Sequence, residues 1–159
     1  MPDNQELDKL ALELINQQST MTLATARDNS AWAAPVYYVF YKSAFYFFSD
    51  PASRHIVEAM ESNQASAAIY PYADTWQGIK GIQMSGRIRQ LMPGLTAVQA
   101  IRAYTKKFSF TKDFFEPGQA LNLENFIKRF KVRFYRLDPQ IIYYLDNQIK
   151  FGFREQVKL

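Results

Sequence analysis

AWAAPVYYVFYKSAFYFFS (residues 31–49) is the stretch on which the fold turns. Residues 31–41 and 44–49 are β-branched, aromatic or small, and only a short polar connector, YKS, separates them. A run of this kind folds back on itself as an antiparallel hairpin. The segment before it, TMTLATA (20–26), has the same strand character and is joined to it by RDNS, so consecutive hairpins are the economical topology. Pro35 lies inside the second run. Proline has no N–H for a ladder, so the position predicts an edge strand or a bulge with backbone free to meet something else.

Outward from this stretch the pattern alternates between helix and strand. DNQELDKLALELINQQ (3–18) spaces Leu7, Leu10, Ala11, Leu14 and Ile15 as one helical face, with Asp3 and Glu6 as a capping box, and predicts an amphipathic helix at about 4–17. SRHIVEAMES (53–62) reads as a short helix with Ile56, Val57 and Met60 inward, followed by a strand at 65–72. In IKGIQMSGRIRQL (79–91), Ile82, Met84, Gly86 and Ile88 alternate with Gln83, Ser85, Arg87 and Arg89; Gly81 and Gly86 suit the bends that close a small barrel. A helix at 94–108 follows, entered through Pro93 and Gly94, and then a less regular stretch at 109–130. The chain returns to strands at VRFYRLD (132–138) and QIIYYLD (140–146), with DNQIKFGF (146–153) as a turn and final strand. No repeat or low-complexity linker interrupts the order. Residues 1–159 therefore read as one domain, an antiparallel β-barrel with helices packed outside it, class α+β.

Composition removes several functions. With no cysteine there is no disulfide framework, thiolate metal site or cysteine nucleophile, and with His55 as the one histidine a protein-ligated zinc or haem centre is disfavoured. No apolar run approaches the roughly 18 residues of a membrane span, and the polar, acidic start MPDNQELDKL is unlike a signal peptide; a cytoplasmic protein is the expectation. Charge is divided along the chain: residues 1–79 hold 4 Lys+Arg and 9 Asp+Glu, and residues 80–159 hold 15 and 6. The basic half contains no nucleic-acid recognition motif. The aromatic and basic residues of IKRFKVRFYRL follow strand alternation, so solubility explains most of that charge.

No G-x-S-x-G elbow, phosphate loop or dinucleotide fingerprint occurs. What remains is Ser53-Arg54-His55. Ser53 stands where it caps a helix whose first N–H groups lack internal partners, and a guanidinium and an imidazole follow at once. Donors on three sides of one small volume suit an anion, most naturally a phosphate monoester. The same residues also open ordinary capped helices with two solvated side chains.

These pieces together resemble the pyridoxamine 5'-phosphate oxidase-like FMN-binding split barrels. The resemblance runs from about residue 20 to the C-terminus. It is carried by AAPVYYVF, by FYFFSDPASRH with its Ser/Thr-Arg-Lys/His step, by KGIQMSGRI and AYTKKF, and by FYRLDPQIIYYLDN with FGF behind it. It implies a six-stranded split barrel, a homodimer and FMN in two clefts at the dimer interface. It further implies that Ala34, Pro35 and Val36 meet the isoalloxazine through their backbone, that Phe48 and Ser49 line the ribityl chain, that Ser53, Arg54 and His55 hold the phosphate, and that Gln83 reaches the cofactor from the facing side. Trp76 and Phe153 are candidates for covering the ring. Two departures stand out. The oxidase has lysine where His55 stands, and FGFREQVKL offers Arg154 but no histidine for the substrate. The expectation is thus an FMN-dependent oxidoreductase other than a true pyridoxamine phosphate oxidase, with a haem- or deazaflavin-binding barrel, or a non-enzymatic flavin-binding module, as the alternatives.

Overall fold

The computed structural model describes residues 1–114 and 123–159. In chain order the elements are α1 (Asn4–Gln17), β1 (Thr20–Arg27), β2 (Ser30–Tyr37), β3 (Val39–Tyr41), β4 (Ala44–Ser49), α2 (Arg54–Ser62), β5 (Ala65–Ile69), β6 (Lys80–Gln90), α3 (Leu95–Lys107), a 3-10 turn (Ser109–Phe114), α4 (Leu123–Phe130), β7 (Arg133–Asp146) and β8 (Arg154–Gln156). All strand pairings are antiparallel, in the order β2-β1-β5-β6-β7-β4-β3, with β8 added on β7. The sheet curls into a split barrel flanked by helices, as the alternating hairpins and helices require. The first helix occupies its expected span, and the Asp3 carboxylate accepts from the Glu6 N–H at 2.9 Å.

Strand number departs from the expected six: among the described residues the curled sheet contains eight. One cause is a break at Tyr38. This side chain is fully buried, its hydroxyl donates to the Ile15 carbonyl at 2.5 Å, and its backbone N–H bonds to Ser19 rather than to a ladder. The 31–41 run is thereby cut into β2, which pairs with β1, and β3, which pairs with β4. The opposite happens near the C-terminus, where the runs 132–138 and 140–146 fuse into the single strand β7. The strand expected at 65–72 stops at Ile69. Of the irregular stretch at 109–130, the described parts are the 3-10 turn and α4, and residues 115–122 lie outside the described residues.

Pro35 sits as its chemistry demands, on β2 at the end of the sheet path, where its missing N–H disturbs no central ladder. Inside the curl, Met21, Leu23, Ile69, Ile82, Met84, Ile88, Leu137 and Tyr144 form one core with Leu7, Ala11, Leu14 and Ile15 of α1. A second cluster under α3 gathers Tyr46, Tyr104, Phe108 and Phe134. Helix α2 is rotated from its expected setting: it buries His55, Ile56, Glu58 and Ala59 and leaves Met60 41% exposed. The basic half is partly structural. Arg89 pairs with Asp138 at 2.8 Å, and Lys107 donates to the Gln18 carbonyl with its ammonium over the Tyr38 ring. Desolvation lowers the Lys107 pKa to about 8.

The long β6–β7 ladder shifts register between Ser85 and Gly86: Ser85 faces Ile141 and Gly86 faces Pro139, which leaves Gln140 as an extra residue. At Gly86 a Cβ would overlap the Asp138 carbonyl and the Pro139 Cα, all backbone atoms that cannot swing aside. Gly86→Ala is expected to destabilise the protein by about 3 kcal/mol, the scale of an overpacked core position. Urea unfolding of the variant beside the wild type measures it.

Candidate functional site

The turn Asp50-Pro-Ala-Ser leads from β4 into α2 and fixes where the helix begins. The Asp50 carboxylate accepts from the Ala52 N–H at 2.8 Å, and the Asp50 carbonyl accepts from the Ser53 hydroxyl at 2.7 Å and from its N–H at 3.0 Å. Ser53 holds the cap position, yet its side chain caps no helical N–H. Its Oγ lies 3.3 Å from both Ser49 Oγ and His55 Nε2, while Ser49 Oγ and His55 Nε2 are 2.7 Å apart. Two hydroxyls and an imidazole therefore share one small volume beside the first turn of α2. Ser49 and His55 are both buried, so the cluster is held by packing as well as by hydrogen bonds.

Arg54 makes its own contacts on the adjoining side of the helix start. Its Nε donates to Glu58 Oε1 at 2.6 Å, its Nη2 donates to Ser30 Oγ at 2.9 Å, and its guanidinium lies 4.7 Å from the centre of the Trp32 ring. Glu58 is only 1% exposed and also accepts from the Thr25 hydroxyl at 2.7 Å. The Thr25 and Arg54 hydrogen bonds hold the Glu58 carboxyl below its ordinary pKa, against the opposing effect of burial. The triplet that sequence reading placed together is thus divided between two neighbouring clusters at one helix start. Glu58 was not singled out from the sequence, and the signal for its role was the i,i+4 spacing from Arg54.

The second part of the site is the outer face of the sheet. In register across five strands run Pro35, Thr22, Ala68, Gln83 and Tyr143, and beside them Ala33, Ala24, Ser66, Ser85 and Ile141. The side chains toward β2 are small, leaving a flat ledge. A shallow cavity of about 410 Å³ lies over it, lined by Thr22, Ala24, Ser66, Ala68, Gln83, Ser85 and Tyr143 among others. Arg154 reaches this face, with Nη1 3.4 Å from Gln83 Oε1 and its guanidinium near the Tyr143 ring. It is a cation with no carboxylate partner among the described residues.

The remaining expected residues divide. Ala34, Pro35 and Val36 present the free edge of β2, next to which no strand is described. The Phe48 ring stacks on Phe134 at 4.4 Å and meets Tyr104 edge-on, so its ring belongs to the second core cluster. Phe153 is buried in the main core and covers nothing, whereas Phe151 is exposed and meets Trp76 edge-on at 5.6 Å. The turn 146–153 places alternate aromatics on opposite sides, which composition did not reveal. Among the described residues there is no cluster of metal-ligating side chains, and no helix is long and apolar enough to cross a membrane.

His55 gives the site a pH signature. Burial lowers its pKa below the ordinary 6.5, with the charge of Glu58 opposing. Below about pH 6.5 the unfolded chain binds the proton first. Stability therefore falls as pH drops through that value, and levels off once the folded histidine also protonates. Thermal melts from pH 7.5 to 5.5 are expected to show this decline, and His55→Gln is expected to flatten it.

Residues 7–143 match the family described as pyridoxamine 5'-phosphate oxidase. A UPF0306 protein of Klebsiella pneumoniae is 25% identical over 140 residues, covering 87% of this chain and 84% of that protein. Among solved structures, a FAD-binding protein of Mesorhizobium loti superposes with a TM-score of 0.61 at 21% identity, over 84% of this chain and 90% of that one. The haem storage protein HutZ of Vibrio cholerae superposes with a TM-score of 0.65 at 15% identity, over the same shares. At these identities the superpositions establish the fold alone.

Proposed function

Since the chain belongs to the pyridoxamine 5'-phosphate oxidase family, we propose that it is an FMN-binding flavoprotein that carries electrons or hydride through a flavin held between two copies of itself. The observation that carries this reading is the Ser49–Ser53–His55 cluster at the start of α2. Two hydroxyl groups and an imidazole beside the start of a helix suit a phosphate monoester, and Arg54, on the adjoining side, adds fixed positive charge. From there the edge of β2 at Ala34, Pro35 and Val36 offers backbone to a ring, and the segment Phe48–Ser49 lines the chain between ring and phosphate. Phe48 contributes there through its main chain, its ring being packed away.

FMN, when bound, supplies the redox chemistry, and the protein binds it, orients it and excludes water. The ledge explains how a flat ring is accommodated: Thr22, Ala24, Ser66 and Ala68 leave its surface clear of bulky groups. Within one chain, Pro35 and Gln83 are three strand spacings apart, about 14 Å. That separation is the reason for the second copy: a ring at one protomer's Pro35 edge meets Gln83 of the other. Haem is the weaker reading, since the chain's one histidine has Nε2 2.7 Å from Ser49 Oγ and is buried. The C-terminal segment holds Arg154 and no histidine. The reading is therefore of a flavoprotein whose substrate is something other than pyridoxamine phosphate, in a cytoplasmic homodimer.

Purified protein is mixed with FMN and passed through gel filtration while its spectrum is followed. Flavin bands travelling with a dimer-sized peak are expected; a colourless protein, or one that takes up haem in preference, would contradict the reading. Arg54→Ala is expected to weaken FMN binding by about 1.5–3 kcal/mol, the range for a charge-assisted hydrogen bond, with the dimer intact. An unchanged affinity in a fluorescence titration would remove Arg54 from the site.

A further inference from the structure

Resting on the cofactor reading above, we propose that Glu58 is a positioning residue that fixes the direction of the Arg54 guanidinium toward the phosphate of the bound ligand. A guanidinium is planar, with five N–H donors in a rigid fork. Three side chains constrain this one. Glu58 of α2 holds it in plane at Nε at 2.6 Å, Ser30 of β2 holds it in plane at Nη2 at 2.9 Å, and Trp32 of β2 stacks on its face. Nη1 has no partner among the described residues, and it is the edge left for an anion. The Arg54 side chain keeps 38% of its exposure, so the held group remains open to a ligand.

The carboxylate doing the holding is itself fixed. Thr25 of β1 donates to Oε2 at 2.7 Å while Oε1 takes Arg54, so the two oxygens have different partners and the carboxylate cannot rotate without losing one. A buried carboxylate is an inefficient way to join a helix to a hairpin, because an apolar side chain of similar volume does so without desolvating a charge. What Glu58 adds is orientation. A free arginine loses much of its rotamer freedom when it meets a phosphate, and one already held loses less.

The test compares FMN with riboflavin, which differ only in the phosphate. Dissociation constants for both are measured by flavin fluorescence on the wild type, Glu58→Gln and Glu58→Met, with a thermal melt of each. The ratio of riboflavin to FMN dissociation constants is expected to fall by about tenfold in both variants, within the roughly thirtyfold that freezing one arginine allows. Riboflavin affinity itself stays within about twofold of the wild type on this account. A ratio that does not change, or that rises because Glu58 competes with the phosphate for Arg54, overturns the proposal. So does an equal loss of both affinities, which a merely structural role would produce. A wild type that binds neither flavin overturns the cofactor reading and this inference together, whereas a wild type that prefers FMN with variants that keep its ratio overturns the inference alone.

Discussion

The close approach of β6 and β7 at Gly86 is the constraint on which the rest depends. Without a side chain at that position, the Asp138–Pro139 backbone comes into contact with β6, the register shifts by one residue, and the sheet bends. Side-chain alternation gives the curled sheet two unlike faces. Its inner face closes over Ile82, Met84 and Ile88 and receives α1. Its outer face keeps the small residues of β1, β5 and β6 in register, a flat surface over which a shallow cavity lies.

Helix α2 supplies what the sheet lacks, which is charge and directed donors. It packs against the β1–β2 hairpin through Glu58 and Thr25, and through Arg54 with Ser30 and Trp32. The same packing aims its first turn at the cluster of Ser49, Ser53 and His55. Hairpin and helix start are therefore one mechanical unit. The ledge of small side chains belongs to the sheet and the polar cluster to the helix start.

Sequence pattern carried the fold a long way because its strongest signals are local. Helix α1 follows from five apolar positions and a cap, the first hairpin from two runs and a short turn, and the edge placement of β2 from one proline. The features that pattern missed are those decided by tertiary contact. Tyr38 breaks a strand because its hydroxyl reaches Ile15, and β7 runs through Pro139 because Gly86 lies opposite. Helix α2 turns Met60 outward because Glu58 finds Thr25 and Arg54 inside. At the site, the Ser-Arg-His triplet was legible as a polar group at a helix start, but its division into two clusters was not, since neighbouring residues on a helix face different directions. Phe153, expected to cover a ring, is buried instead for the same reason, and Phe151 is the aromatic that the turn leaves exposed.

An amide NMR titration of the protein with FMN tests the central claim most directly, because it reports both ends of the site in one experiment. The account predicts saturable shifts at Arg54 and His55 together with Thr22, Ala68 and Gln83, linking the helix start to the sheet ledge. Shifts confined to the exposed aromatics around Trp76 and Phe151, or a spectrum unchanged at saturating FMN, would contradict it.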